Sequence, residues 1–254
     1  MSPRNWGCPV VTEPAGVAQT GVGERLTAVR ARIASAEARA GRDPNAVTLI
    51  AVSKTHPVEV LREALEAGAT AFGENRVQEA VEKVQAIGRA PEWHLIGGLQ
   101  TNKARQAVAN FDVIHSLDRI ELGRALSTHA VALGTRCRTL VQVNVTGKET
   151  QGGVARESLE ALMRELAALP GLILDGLMCI APDASEVGGV EGTRPAFRSV
   201  AAHWGALADF AQDHGHTWHH LSMGMTGDFE VAIEEGATMV RVGRAIFGDR
   251  NSLK

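Results

Sequence analysis

The chain has 254 residues, 44% of them hydrophobic and 22% charged, with a formal net charge of -3. This balance offers no bulk attraction to nucleic acid or to an anionic membrane surface, and it suits one large hydrophobic core better than a disordered or fibrous chain. The three cysteines, Cys8, Cys137 and Cys179, show no CxxC spacing, which argues against a disulfide framework or a zinc site and fits a reducing compartment.

No apolar run approaches the roughly 18 residues of a membrane span. The opening MSPRNWGCPVVTEPAG holds no continuous apolar signal core. The expectation is a cytoplasmic protein with a flexible tail over residues 1–22, rich in Pro, Gly and Thr, and a single domain over residues 23–254. A monomer is expected, with a dimer as the alternative.

Leu26, Val29, Ile33 and Ala36 write an amphipathic helix that Gly41 and Asp43-Pro44 stop. No strand precedes it, so it should pack outside the main fold. From there strands and helices alternate. Residues 47–53 read as a first strand, and Val58, Leu61 and Leu65 mark one helix face. Residues 70–73 form a second strand, and Val77, Val81 and Val84 the next helix. Residues 93–97 are a third strand with a helix over 102–110 behind it; residues 112–116 are a fourth, followed by a helix near 119–133.

Residues 139–145 make a fifth strand, and Leu159, Leu162, Leu166 and Leu169 give the helix after it. A sixth strand runs from Leu172 to Ile180. One long helix then carries Phe197, Val200, Trp204, Leu207 and Ala211. A seventh strand ends at His219-His220-Leu221-Ser222, residues 228–235 are a short helix, and residues 238–242 are an eighth strand. Eight strands separated by helices imply a parallel sheet, and this count predicts closure into a single (β/α)8 barrel of the TIM type with an extra N-terminal helix. An open doubly wound sheet is the alternative, because alternation alone does not show closure.

In such barrels chemistry collects at the carboxyl ends of the strands, and phosphate groups sit at the loops after strands seven and eight. Lys54, Glu74-Asn75, Gly97-Gly98, Ser116, Asn144, Met178, Ser222 and Arg241-Val242-Gly243 all fall at such ends. Lysine is seldom buried, so Lys54 at the end of an apolar strand either reaches out to water or uses its amine. Ser222 offers a hydroxyl to an anion, Asp228 opens a short helix whose amino end favours one, and Gly243 lets a backbone N–H approach closely. An amine across a barrel mouth from a phosphate site suggests pyridoxal 5'-phosphate (PLP), which needs both. The amine must be neutral to attack. Burial, with Arg241 and Arg244 across the mouth, pushes in that direction.

LIAVSKTHP, FGENRVQEA, WHLIGGLQTNK, IHSLDR, VQVNV, GLMCI, LSMGMTGDFEVAI and MVRVGRAIFG, in this order, resemble the pyridoxal phosphate homeostasis protein family, whose barrel is similar to the N-terminal domain of alanine racemase. The resemblance covers roughly residues 24–250. It implies PLP held as an imine on Lys54, with Asn75 lining the ring, Arg241 facing the pyridine nitrogen, and Ser222 with Gly243 and its neighbour Arg244 holding the phosphate; Met178 joins the cofactor-binding set. It also implies storage, buffering or delivery of PLP, to apo-enzymes that depend on it, in place of catalysis; a PLP-dependent racemase is the alternative.

Three positions depart from the family pattern: Arg244 replaces a threonine, Gly98 a proline and Arg76 a tyrosine. The aldolase-type alternative uses a lysine imine with Glu74 as acid or base. His214, His216, His219 and His220 look superficially like a metal site, but the last two have opposite strand parity and the others fall in a turn.

Overall fold

The structure, a computed structural model, describes residues 21–248. Its strands are β1 (Thr48–Val52), β2 (Ala71–Glu74), β3 (Glu92–Leu95), β4 (Val113–Leu117), β5 (Cys137–Asn144), β6 (Val154–Ala155), β7 (Leu172–Cys179), β8 (His220–Ser222) and β9 (Met239–Val242). Every pairing is parallel. The order β4-β3-β2-β1-β9-β8-β7-β5 closes through β4 against β5. This is the expected eight-stranded barrel; two-residue β6 adds to the end of β5 outside the ring and had no sequence signal.

The helices are α1 (Val22–Arg39), α2 (Val58–Glu66), α3 (Val77–Ile87), α4 (Ala104–Asn110), α5 (Ile120–Ala132), α6 (Leu159–Ala167), α7 (Arg194–Ala206), α8 (Ala208–Asp213), α9 (Phe229–Glu234) and α10 (Arg244–Phe247). The long helix expected near residue 200 is two, broken at Leu207. The apolar period runs through the break, since Val200, Leu207 and Ala211 are all buried, so periodicity did not reveal it. The tail expected over residues 1–22 lies outside the described residues except for its last two. Those belong to the fold: Gly21 is the N-cap of α1 and Val22 is buried in its first turn.

Helix α1 buries Leu26, Val29, Ile33 and Ala36. It ends on Gly41 at φ 65, with Gly41 N–H bonded to Ala38 and Arg42 N–H to Glu37, the paired bonds of a glycine-terminated helix. The helix lies on α2, α9 and α10, over the seam where the last strand meets the first. Arg25 Nε donates to the Ile246 carbonyl at 2.6 Å, and Arg32 forms a two-pronged pair with Glu230. Among the described residues no helix is long and apolar enough to cross a membrane.

Both faces of the strands are buried, which is why they read as near-continuous apolar runs. The outer face joins the helices in the main core. The inner face forms a second, smaller layer of Ile50, Ala71, Val113, Leu140, Met178 and Met239. Between β5 and β7 the register slips after Thr139, and Gly176 sits at φ 141 beside the slip. A Cβ on Gly176 would lie 1.7 Å from the His220 carbonyl oxygen, so only glycine allows β8 to pair there. Gly176→Ala should therefore lower stability by about 3 kcal/mol or more, measured by denaturant unfolding, because the clash is with backbone that cannot yield.

Candidate functional site

Closure decides what stands beside Lys54. Ile50 pairs with Arg241 and Ala51 with Val242, so β9 is the immediate neighbour of β1. The sequence reading put Arg241 and the last strand end across the mouth; in the closed ring they adjoin the lysine's own strand. Gly243 packs onto that strand, where a Cβ would meet the Val52 carbonyl oxygen at 3.2 Å. Lys54 is half-buried in the turn that follows β1, Asn75 is half-buried just beyond β2, and Arg244 is exposed at the start of α10. Met178 is fully buried in the inner apolar layer, beneath the mouth and level with Ser222 in the ladder.

Arg241 is the dominant charge here. It is only 4% exposed, yet its hydrogen-bond partners are neutral: Nη1 donates to Ser222 Oγ at 2.6 Å and Nη2 to the Cys179 carbonyl at 2.8 Å. Burial pushes the guanidinium down from its ordinary value, but arginine stays protonated in proteins. The Asp228 carboxylate acts on it without a hydrogen bond, so a cation directly answered only by a hydroxyl and a carbonyl can still serve an anionic or acceptor ligand.

Ser222 is buried with its hydroxyl engaged on both sides, lying 3.0 Å from His115 Nδ1 as well as accepting from Arg241. His115 Nε2 in turn lies 2.9 Å from His94 Nδ1, and His94 Nε2 lies 3.4 Å from Glu92 at the opposite end of the barrel. There Arg138 gathers Glu92, Asp175 and His220, and the slip near Gly176 turns Asp175 into this group. Glu92 is held down to about 2, first by the neighbouring His94, with burial opposing and Arg138 assisting. Burial holds His115 well below the usual histidine range, with His94 and Arg241 adding to it. His219 and His220 lie beside Asp175, and among the described residues no group of three or more metal-ligating side chains forms.

A second cluster fixes the Lys54 turn from outside the barrel. On β2, Ala71 faces the inner layer while Phe72 faces the outer core, so Glu74 also points outward. Its Oε1 accepts from Ser53 Oγ at 2.6 Å and from Lys83 Nζ at 2.7 Å; Lys83 also donates to the Ser53 carbonyl and to Glu79, each at 2.7 Å. Glu79 then accepts the Thr55 backbone N–H, and Thr55 sits at φ 67, unusual for a β-branched residue. The residues on both sides of Lys54 are thereby pinned. Burial pushes the Glu74 carboxyl up despite Lys83 and Ser53, whereas for Glu79 burial is outweighed by the Lys83 and Thr55 bonds and its value falls. Glu74 faces away from the mouth, which removes the acid/base role that the aldolase-type reading gave it.

Sequence reasoning missed His94, His115, Lys83 and Glu79. Signals existed: each histidine interrupts an apolar strand at an inward parity, and Glu79 and Lys83 have the i,i+4 spacing of a helical ion pair.

The sequence matches the family described as "Alanine racemase, N-terminal domain" over residues 25–251. It is 44% identical over 229 residues to a pyridoxal phosphate homeostasis protein of Aquifex aeolicus (strain VF5), covering 89% of this chain and 97% of that one. It is 39% identical to the protein of that name from Escherichia coli (strain K12), covering 92% and 98%. Among solved structures, PipY of Synechococcus elongatus PCC7942 with PLP bound matches at a TM-score of 0.76 and 38% identity, covering 89% of this chain and 100% of that one. Alanine racemase from Corynebacterium glutamicum shares the fold, with a TM-score of 0.64 at 22% identity over 90% of this chain and 64% of its own.

The geometry predicts two measurable behaviours. Replacing Lys83 by Met strands the buried Glu74 charge and should cost about 3–5 kcal/mol in denaturant unfolding, with Glu74→Gln in the same chain recovering more than half. Stability should also fall as pH drops below about 6.5, the unfolded histidine value. Buried His115, His216 and His220 all have lowered values and stay neutral while the unfolded chain takes up protons, so the unfolded state binds more protons on the acid side. Urea midpoints should decline between about pH 7 and pH 5, with the raised carboxyls of Glu74 and Asp228, which take up protons in the folded state, opposing part of the fall.

Proposed function

Because the chain belongs to the pyridoxal phosphate homeostasis protein family, we propose that it binds PLP through the Lys54 amine and serves intracellular PLP homeostasis by storing, buffering or delivering the cofactor. The observation that carries this reading is the β1–β9 ladder, which puts the lysine strand beside the strand bearing Arg241 and Gly243. The donor set fits the cofactor: an amine for its aldehyde, a buried guanidinium with neutral partners for its ring acceptor, and a glycine-led turn for its phosphate. In this reading Lys54 is the covalent tether, Asn75 lines the ring, and Gly243 and Arg244 flank the phosphate. Met178 supports the site from below; the phosphate contact expected of Ser222 competes with the engagement of its hydroxyl by Arg241 and His115, so in this reading Ser222 acts on the bound molecule through Arg241.

Bound PLP supplies an electrophilic carbon and, when its ring nitrogen is protonated, an electron sink. Arg241 works against the second property. It donates and cannot accept, so it occupies the ring nitrogen without giving up a proton, and the ring stays a weak sink. The chain also contains no tyrosine, which removes the lysine–tyrosine base pair of a two-base racemase. These residues suit reversible holding better than turnover. Recipients would be cytoplasmic apo-enzymes that require PLP.

The purified protein should turn yellow with PLP, borohydride should fix the cofactor to Lys54, and Lys54→Ala should abolish the visible absorbance. A protein that stays colourless in excess PLP contradicts the reading. Holo-protein incubated with single L-amino acids in deuterated water should show no α-proton exchange above that of free PLP; exchange at enzymatic rates would make it a catalyst.

A further inference from the structure

The polar line through the barrel has one self-consistent proton order. Arginine only donates, so Ser222 Oγ accepts from Arg241 Nη1 and has its own proton to give. Its second partner is His115 Nδ1, which must accept that proton and therefore carry its own on Nε2. His115 Nε2 donates to His94 Nδ1, and His94 is left with its proton on Nε2, which lies 3.4 Å from Glu92 without a hydrogen bond to it. A carboxylate can only accept, so this proton faces a compatible group. The reverse order leaves the Ser222 hydroxyl proton without an acceptor and sets a bare nitrogen lone pair of His94 against the Glu92 carboxylate. His94, His115 and Ser222 are all fully buried, so an unanswered proton or lone pair among them is costly.

Resting on the reading in which Arg241 meets the PLP ring nitrogen, we propose that His115, backed by His94, is a positioning residue that holds Ser222 Oγ as an acceptor and thereby keeps the Arg241 guanidinium in one orientation. His115 is faced by His94 from β3, by Ser222 from β8 and by Arg241 from β9, with His220 of β8 and Arg138 of β5 further along the same interior. A guanidinium has five N–H groups in a rigid fork. Two of the Arg241 nitrogens are committed to Ser222 and Cys179, and that commitment fixes where the remaining donors point.

The test begins without cofactor. Nitrogen NMR of the full chain at about pH 7 should show His115 neutral with its proton on Nε2; a His115 proton on Nδ1, or a His115 imidazolium, overturns the proposal. PLP is then titrated into the parent, His115→Phe and His115→Asn. Asparagine keeps an acceptor near the place of Nδ1, and phenylalanine keeps only the volume. His115→Phe should weaken PLP binding about tenfold and displace the pH profile of the cofactor absorbance, and His115→Asn should return binding to within about threefold of the parent.

A phenylalanine variant that binds within about twofold of the parent with an unchanged profile refutes the role, as does an asparagine variant as weak as phenylalanine. If the phenylalanine variant does not fold, the tautomers of the parent decide. If the parent takes up no PLP, the cofactor reading fails, and the tautomers still test the proton order independently.

Discussion

The ladder between β1 and β9 is the constraint on which the rest depends. Four residue pairs, Thr48–Met239 through Ala51–Val242, join the two ends of the strand series and turn an open α/β sheet into a ring. Everything in the mouth follows from that joint. It sets Lys54 next to the arginine strand, lets Gly243 rest on the Val52 carbonyl, and requires α1 to cover the seam from outside. An open sheet with the same elements would leave these strands at opposite edges, and the same residues would form no site.

Two polar systems meet the ring from opposite sides, and each obeys the rule that buried charge needs a partner. Outside, Lys83 answers Glu74 and Glu79, and the bonds spread onto Ser53 and Thr55 so that the turn holding Lys54 is set before any ligand arrives. Inside, a barrel of this class is usually filled by layers of branched apolar side chains. Here one such layer is present, and beside it a histidine pair runs from Ser222 at the mouth towards Glu92, Arg138 and Asp175 at the other end. The inner system leaves Arg241 charged and oriented; the outer one holds the lysine backbone. Lys83, Glu79, His115 and His94 all lie far in sequence from the groups that they position.

Much of this was legible beforehand. The eight strands could be read because burial on both faces makes each an apolar run with punctuation at its ends, and the strand-end rule located Lys54, Asn75 and Arg241 together. What escaped the reading depended on phase between elements. That the Arg241 strand adjoins the Lys54 strand, with Arg241 level with Ile50, is a matter of register within the ring. That His94 and His115 touch depends on the register between β3 and β4, which pairs His94 with Val113 and brings the histidine two residues later over it. Lys83 is an ordinary helix lysine until α3 docks against the outer face of β2. The break at Leu207 left no mark, because the residues on either side keep the same apolar period.

The charge of Arg241, which forms no ion pair among the described residues and feels a carboxylate only at a distance through Asp228, also bears on how long such a molecule lasts. A buried guanidinium answered by a hydroxyl and a carbonyl makes the empty fold less stable than it would be with an acceptor in place, and a ligand that binds only the folded state raises stability by mass action. Where the transiently unfolded fraction is what proteases remove, a protein built this way would last longer with such an acceptor bound than without it.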